Sequence, residues 1–320
     1  MIKSMTGCYI LFDYPLILQI IRYYTKKEVM KSIKLLALTA MATLVLSSCG
    51  TTSKVPLTGR THRISSTYSD SQILSLSNAE YTKYMASANK STDAANTAMV
   101  TRVGRRLANA VESYLKSNGY ANEVGNFAWE FNLVADKQAN AFCMPGGKIV
   151  VYEGLLPYTQ NEASLAIVLG HEIAHAVAKH SAEQLTKQQN QSTLTSIGGA
   201  VLNGVVGNGV GDLASQVASG VFSFRNLKYS RDNESEADYM GLIFAAMAGY
   251  DPQTAVSFWQ RMSSGNNNTS DVLSDHPSDA KRIANIRQWM PEALKYYKPV
   301  QTTTTTKKTT TKRTTTTKRK

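Results

Sequence analysis

Asn161-Glu162-Ala163-Ser164-Leu165-Ala166-Ile167-Val168-Leu169-Gly170-His171-Glu172-Ile173-Ala174-His175-Ala176-Val177 decides how the rest of the chain is read. Thr159-Gln160-Asn161-Glu162 has capping-box form, and an apolar run containing Leu165, Ile167, Val168 and Leu169 follows it. A buried helix therefore starts here, and the pattern predicts one long helix from about Asn161 to Gln189. Inside it, His171-Glu172-x-x-His175 sets two imidazoles four residues apart. Four residues turn a helix by about 400°, so the two rings lie about 40° apart and one turn along. Both can bind a single zinc ion from the same face. Glu172, next to His171, can reach a water there and act on it as general base. Five histidines in 320 residues make this spacing rare by chance.

One ligand is still to be found. A continuation x-x-G-x-x-H after His175 would supply a third histidine, but Ala178 and Ser181 occupy those positions. His180 is half a turn out of phase with His171 on a continuous helix and reads as a surface or packing residue. A carboxylate on a later helix is the next source, and Asp232-Asn233-Glu234-Ser235-Glu236-Ala237-Asp238 offers it. Glu234 and Asp238 share a face one turn apart. Glu234 can bind the metal, and Asp238 can orient a ligand histidine through its second ring nitrogen. Glu236 points about 200° away from Glu234 and reads as a decoy.

H-E-x-x-H followed some sixty residues later by E-x-E-A-D resembles the HtpX-type and CAAX-prenyl-protease zinc endopeptidases (gluzincins). More narrowly, the chain is similar to their soluble, exported bacterial branch, often lipoproteins. Three further stretches carry the likeness: Asn140-Ala141-x-x-x-Pro145-Gly146-Gly147, Ala248-Gly249-Tyr250-Asp251-Pro252, and His276-Pro277-Ser278 with Arg282-Ile283. Together they span about Met99 to Arg287. The resemblance implies one zinc ion at His171, His175 and Glu234, with Glu172 catalytic. Asn140, Ala141 and Phe142 would edge the cleft and pair with an extended substrate, main chain to main chain; an ordinary sheet edge is the alternative. Arg282 is placed either to donate to the oxyanion or to brace Asp238. His276 would stabilise the oxyanion, fill the fourth zinc position, or simply start the next helix with Pro277 in its first turn. Asp238, Arg282 and His276 thus join Glu172 as candidate catalytic residues.

Around this centre the periodicities predict an α+β fold, a mostly helical zincin-like domain with a small sheet edging the cleft. Met99, Val103, Leu107, Ala110, Val111 and Leu115 mark a helical region over Asn78–Ser117, stopped by Asn118-Gly119. Phe127–Val134 alternates as a strand, and Asn140–Met144 and Lys148–Tyr152 flank a Pro145-Gly146-Gly147 turn as a hairpin. Ser196–Gly220 is rich in glycine and small apolar residues and reads as a flap over the cleft. Helices are expected at Asp232–Ala248, Pro252–Met262 and Ser278–Trp289.

The net charge of +12 sits on the ends: +4 up to Lys34 and +7 from Thr302 to Lys320, which leaves +1 between them. That excludes a uniformly basic nucleic-acid-binding domain, and no nucleic-acid partner is expected. Met30-Lys31-Ser32-Ile33-Lys34, the apolar run Leu35–Leu46 and Leu46-Ser47-Ser48-Cys49 lay out a lipoprotein export signal over residues 30–48. The apolar run of about twelve residues is short of the roughly 20 that a membrane span needs. Residues 1–29 precede a complete signal, so Met30 is the expected start. Residues 49–75 read as lipidated Cys49 plus a polar tether, 76–298 as the catalytic domain, and 299–320 as a solvated Thr/Lys-rich tail. The three cysteines, Cys8, Cys49 and Cys143, then leave one thiol and no disulfide framework.

The reading is a zinc endopeptidase, lipid-anchored to the membrane, acting on misfolded or unassembled envelope proteins. Gly50, not Asp, follows Cys49, which favours the periplasmic side of the outer membrane over the inner membrane. A different class of function fits the same residues: an envelope assembly factor or chaperone whose zinc site is closed or mainly structural. A surface-binding lipoprotein working through the basic tail is a third.

Overall fold

The computed structural model describes residues 26, 30–31, 50–65, 68–189, 210–264 and 280–299. The chain divides into two units, Met1–Gly50 and Thr51–Lys320, and nearly all of the described residues belong to the second. Residues 32–48 of the export signal, Cys49, His276, the first part of the expected flap and residues 300–320 of the Thr/Lys-rich tail lie outside the described residues.

The stretch expected as a tether folds. Strands β1 (Gly50–Lys54) and β2 (Thr61–Ser65) pair as a two-stranded sheet. Leu57 and Gly59 turn the chain with φ of 65° and 67°, and the Val55 N–H donates to the Arg60 carbonyl at 2.8 Å. His62 and Ile64 alternate inward along β2, a half-buried strand pattern too short to stand out in a Ser/Thr-rich sequence.

Helix α1 (Asp70–Ser87) starts from a Ser69/Gln72 capping box, and α2 (Ala94–Ser117) from Asp93, whose carboxylate accepts the Asn96 N–H. The end of α1 at Ser87 and the Asp93 cap divide the helical region expected from Asn78 onward, and α1 begins upstream of it. The inner face of α2 buries Val100, Val103, Leu107, Val111 and Leu115. Strands β3 (Glu130–Val134), β4 (Ala141–Met144) and β5 (Lys148–Tyr152) form a sheet in the order β3-β5-β4, with β3 parallel and β4 antiparallel to β5. The β4–β5 turn uses Gly146 and Gly147 at φ of 88° and 80°, which glycine adopts without strain. β4 is therefore an outer strand, as expected, whereas β3 begins three residues later than Phe127.

After the short α3 (Leu156–Thr159) comes the motif helix α4 (Glu162–Val177), capped by Asn161, whose side chain accepts the Ser164 N–H. It does not run on to Gln189. Lys179 takes φ of 55°, a left-handed residue that ends a helix, and the chain turns helical again over 180–189. The Lys179 ammonium holds this break through Asp70 at 2.7 Å and Glu123 at 2.8 Å. Helices α5 (Val210–Ser219), α6 (Arg231–Met247), α7 (Thr254–Ser264) and α8 (Ala280–Tyr296) complete the described elements. The result is the expected α+β, mostly helical architecture. No helix among the described residues is long and apolar enough to cross a membrane.

The contact that builds the site is between α4 and α6. Gly170 and Gly241 face each other there. A Cβ on Gly170 would lie 2.6 Å from the Gly241 carbonyl oxygen, and one on Gly241 would lie 2.5 Å from the His171 nitrogen. The two backbones touch, so the first two turns of α6 come level with His171 and His175.

Candidate active site and metal centre

The α4–α6 contact brings His171, His175 and Glu234 together, all buried. One ligand atom from each lies within 4.8 Å of the other two. The Nε2 atoms of His171 and His175 are 3.0 Å apart, and each lies 3.4 Å from a Glu234 carboxylate oxygen. Two imidazole nitrogens and a carboxylate aimed at one point form a donor set that suits zinc. Glu172 follows His171 on α4 and is buried. Its charge adds to burial in raising the pKa of the Cys143 thiol well above its ordinary value.

Each histidine is held from behind. The Nδ1 of His171 is 2.9 Å from Oδ1 of Asp238. The same oxygen accepts from the Arg282 guanidinium at 2.6 Å, which in turn lies 3.7 Å from the centroid of the Trp259 ring. Of the two roles expected of Arg282, the geometry realises the brace on Asp238. Burial pushes the His171 pKa down, but Asp238 and Glu234 override it and raise the pKa from 6.5 to about 9. Burial would raise Asp238, yet the Arg282 charge and the His171 hydrogen bond bring it below 3.8.

One reading of the sequence is corrected behind His175, and another gains a partner. His180 is neither superficial nor turned away: it is fully buried, with Nδ1 2.9 Å from Nδ1 of His175. The left-handed Lys179 resets the helical phase, so counting turns from His171 misplaces residue 180. Glu236 stays outside the ligand group, as its phase to Glu234 predicts, but it is buried and engaged. Its carboxylate lies 3.0 Å from Nε2 of His180 and accepts from Thr58 at 2.5 Å and Arg60 at 2.8 Å. Arg60 also pairs with Glu183 at 2.8 Å, which accepts from Asn233 and meets His62, both at 2.8 Å. Burial lowers the His180 pKa against the opposing pull of Glu236. Burial would raise Glu236, but its bonds to His180, Arg60 and Thr58 lower it to about 2. Tyr229 stacks on His175 with centroids 4.1 Å apart. Nothing in local sequence marks Tyr229, Arg60 or Trp259 as neighbours of the centre, because each arrives from a distant element.

Asn140, Ala141 and Phe142 lie at the start of β4, which packs beside α4. The Asn140 carbonyl accepts the Tyr152 N–H at 3.0 Å, and its side-chain oxygen accepts the Ala141 N–H at 2.8 Å. Ala141 and Phe142 are buried.

Comparison with known proteins agrees with this centre. Residues 94–290 match the model of Peptidase family M48. Over 174 residues the chain is 38% identical to mitochondrial metalloendopeptidase OMA1 of Schizosaccharomyces pombe, an overlap of 53% of this chain and 49% of that protein. It is 33% identical over 169 residues to the beta-barrel assembly-enhancing protease of Yersinia pestis, covering 50% and 34%. With the Escherichia coli K12 protein of the same name it shares 30% over 173 residues, covering 52% and 35%. The chain spans about half or less of the length of these curated relatives. The family match takes in well over half of the chain, including both histidines, Glu172, Glu234 and Asp238; the chain belongs to peptidase family M48, a family of metalloproteases.

Proposed function

We propose that this chain is a zinc-dependent endopeptidase of membrane or envelope proteins, held at the membrane by a lipid on Cys49. The observation that carries this is the convergence of His171, His175 and Glu234 ligand atoms within 4.8 Å of one another on the helix that bears Glu172 and the helix packed against it. Relatives called a metalloendopeptidase and a beta-barrel assembly-enhancing protease support it. Zinc, when bound, supplies Lewis acidity that polarises the scissile carbonyl and acidifies water.

The chain's own residues do the rest. Glu172 takes a proton from the attacking water and returns it to the leaving amine. Asp238, braced by Arg282, fixes the His171 ring. Asn140, Ala141 and Phe142 guide an extended peptide along the outer strand, a mode that selects unfolded or misassembled envelope proteins. His276 supplies an oxyanion donor or a fourth ligand. The soluble, exported lipoprotein branch of the family, on the periplasmic side of the outer membrane, is the setting this reading assigns.

Cleavage of an unfolded protein by the zinc-loaded chain tests it. Glu172→Gln is expected to lower the rate about 10²–10⁴-fold, the usual worth of a general acid–base, while zinc stays bound. Cleavage that survives a chelator, or a Glu172→Gln enzyme of full activity, would sink the proposal. Bound zinc with no turnover of any unfolded protein would favour the assembly-factor reading.

A further inference from the structure

The turn between β1 and β2 reaches the metal centre, although it lies outside residues 94–290, the region that matches the family. Four side chains make the connection. Arg60 and Thr58 hold the Glu236 carboxylate at 2.8 and 2.5 Å. Glu236 lies 3.0 Å from Nε2 of His180, and Nδ1 of His180 lies 2.9 Å from Nδ1 of His175. His180 and Glu236 are buried, as is His175.

The proton bookkeeping along this row admits one polarity with a metal in place. A neutral imidazole that binds a metal through Nε2 carries its proton on Nδ1. In His175 that proton needs an acceptor, and His180 Nδ1 is the atom at 2.9 Å. His180 must then keep its own proton on Nε2, where the partner is a carboxylate, which only accepts. The Glu236 carboxylate is fixed in place by a guanidinium that also bridges to Glu183 at 2.8 Å.

We propose that Glu236 and His180 are positioning residues that select the His175 tautomer with its Nε2 lone pair aimed at the metal, and that Arg60, from the amino-terminal turn, locks this relay. The proposal deepens the zinc reading and rests on it. On this view the segment before the family region does more than carry the domain: it completes the support of one ligand.

Zinc affinity, measured by competition with a chromophoric chelator on the chain from Gly50 onward, is the test. His180→Phe keeps a ring of similar size and removes the acceptor. It is expected to weaken zinc about 10–100-fold, the usual cost of losing a partner behind a ligand, while the metal-free protein melts within a few degrees of wild type. Glu236→Gln should weaken zinc by less, and Arg60→Ala by less again, with Arg60→Lys partly rescuing it. Should His180→Phe not fold, Glu236→Gln decides. Unchanged affinity in the folded variants overturns the proposal, as does a fall in metal-free melting that matches the loss of affinity, which marks a merely structural role. If wild type itself binds no zinc, the zinc reading fails instead, and the two failures are thereby distinguished.

Discussion

The two histidines of the centre are neighbours on one helix, yet they are supported in different ways. His171 leans on Asp238 at 2.9 Å, a carboxylate one turn beyond Glu234 on α6, with Arg282 from α8 behind it. His175 leans on another imidazole, His180, at 2.9 Å, with Glu236 and then Arg60 behind it. The first support is a charge placed against a ring and lies within the family region. The second is a longer row ending in a turn near the start of the described domain. A direct carboxylate raises the basicity of the ring it touches; against burial, Asp238 and Glu234 together hold the His171 pKa at about 9. A neutral relay sets ring orientation and tautomer with less change of charge at the ligand.

The harshest way to break both supports at once is Gly241→Ala. Its methyl would sit 2.5 Å from the His171 nitrogen, so α4 and α6 must part. Overpacking of this kind costs on the order of 3 kcal/mol, a melting temperature lower by roughly 10 °C in a domain of this size. Zinc retention should also be lost. A variant that melts like wild type and holds zinc would show that the helix contact does not set the site.

Asp238→Asn separates the two sides. It removes the charge behind His171 and leaves the His180 row intact, so zinc affinity should fall about 10–100-fold in the same chelator competition. A loss equal to that of Arg60→Ala would erase the difference between the supports. Arg282→Lys is milder. It keeps a cation near Asp238 but gives up the stacking on Trp259, and a loss of a few-fold in zinc affinity is expected, with little change in fold.

Acid and alkali sharpen the comparison further, and the chelator-treated protein shows it. The His171 pKa is raised from 6.5 to about 9, so its proton stabilises the metal-free fold fully below about pH 6.5, and that stability is lost as pH rises through about 9. Glu236 is lowered from 4.5 to about 2, so its contribution is present above about pH 4.5 and fades as pH falls towards 2. Metal-free melting temperature should therefore drop at the alkaline end through His171 and at the acid end through the Arg60 relay. In Arg60→Ala the acid drop should shrink while the alkaline one stays. Zinc-loaded protein should lack the alkaline drop, because the metal takes the place of the His171 Nε2 proton.

How far this could be read from sequence depends on which signals are local. His171, His175, Glu234 and Asp238 were legible because each pair sits on one uninterrupted helix, where a four-residue step guarantees a shared face. The β4–β5 hairpin was legible because Pro145-Gly146-Gly147 states its own turn. His180 was misread because helical phase was extended across Lys179, a residue type that gives no warning of a positive φ; Glu236 does face away from Glu234 on α6, and what the sequence hid is the buried His180 and the Arg60 that it meets there. The β1–β2 pair was missed because five-residue strands of mixed polarity look like a linker until β2 has something to pack upon. The division between α1 and α2 needed Asp93 to be weighed as a cap rather than as a polar interruption. Arg60, Tyr229 and Trp259 could not be found by any local rule, since only the folded chain brings residues so far apart in sequence against one centre.

The left-handed step at Lys179 also changes what counts as the motif. H-E-x-x-H ends at His175 as a pattern of letters, yet the five residues after it deliver the side chain that touches the second ring. The functional word is ten residues long, His171 to His180, with a fixed backbone kink as its next-to-last syllable. Adding or deleting one residue between His175 and His180 would leave every letter of the short motif in place and still spoil its grammar.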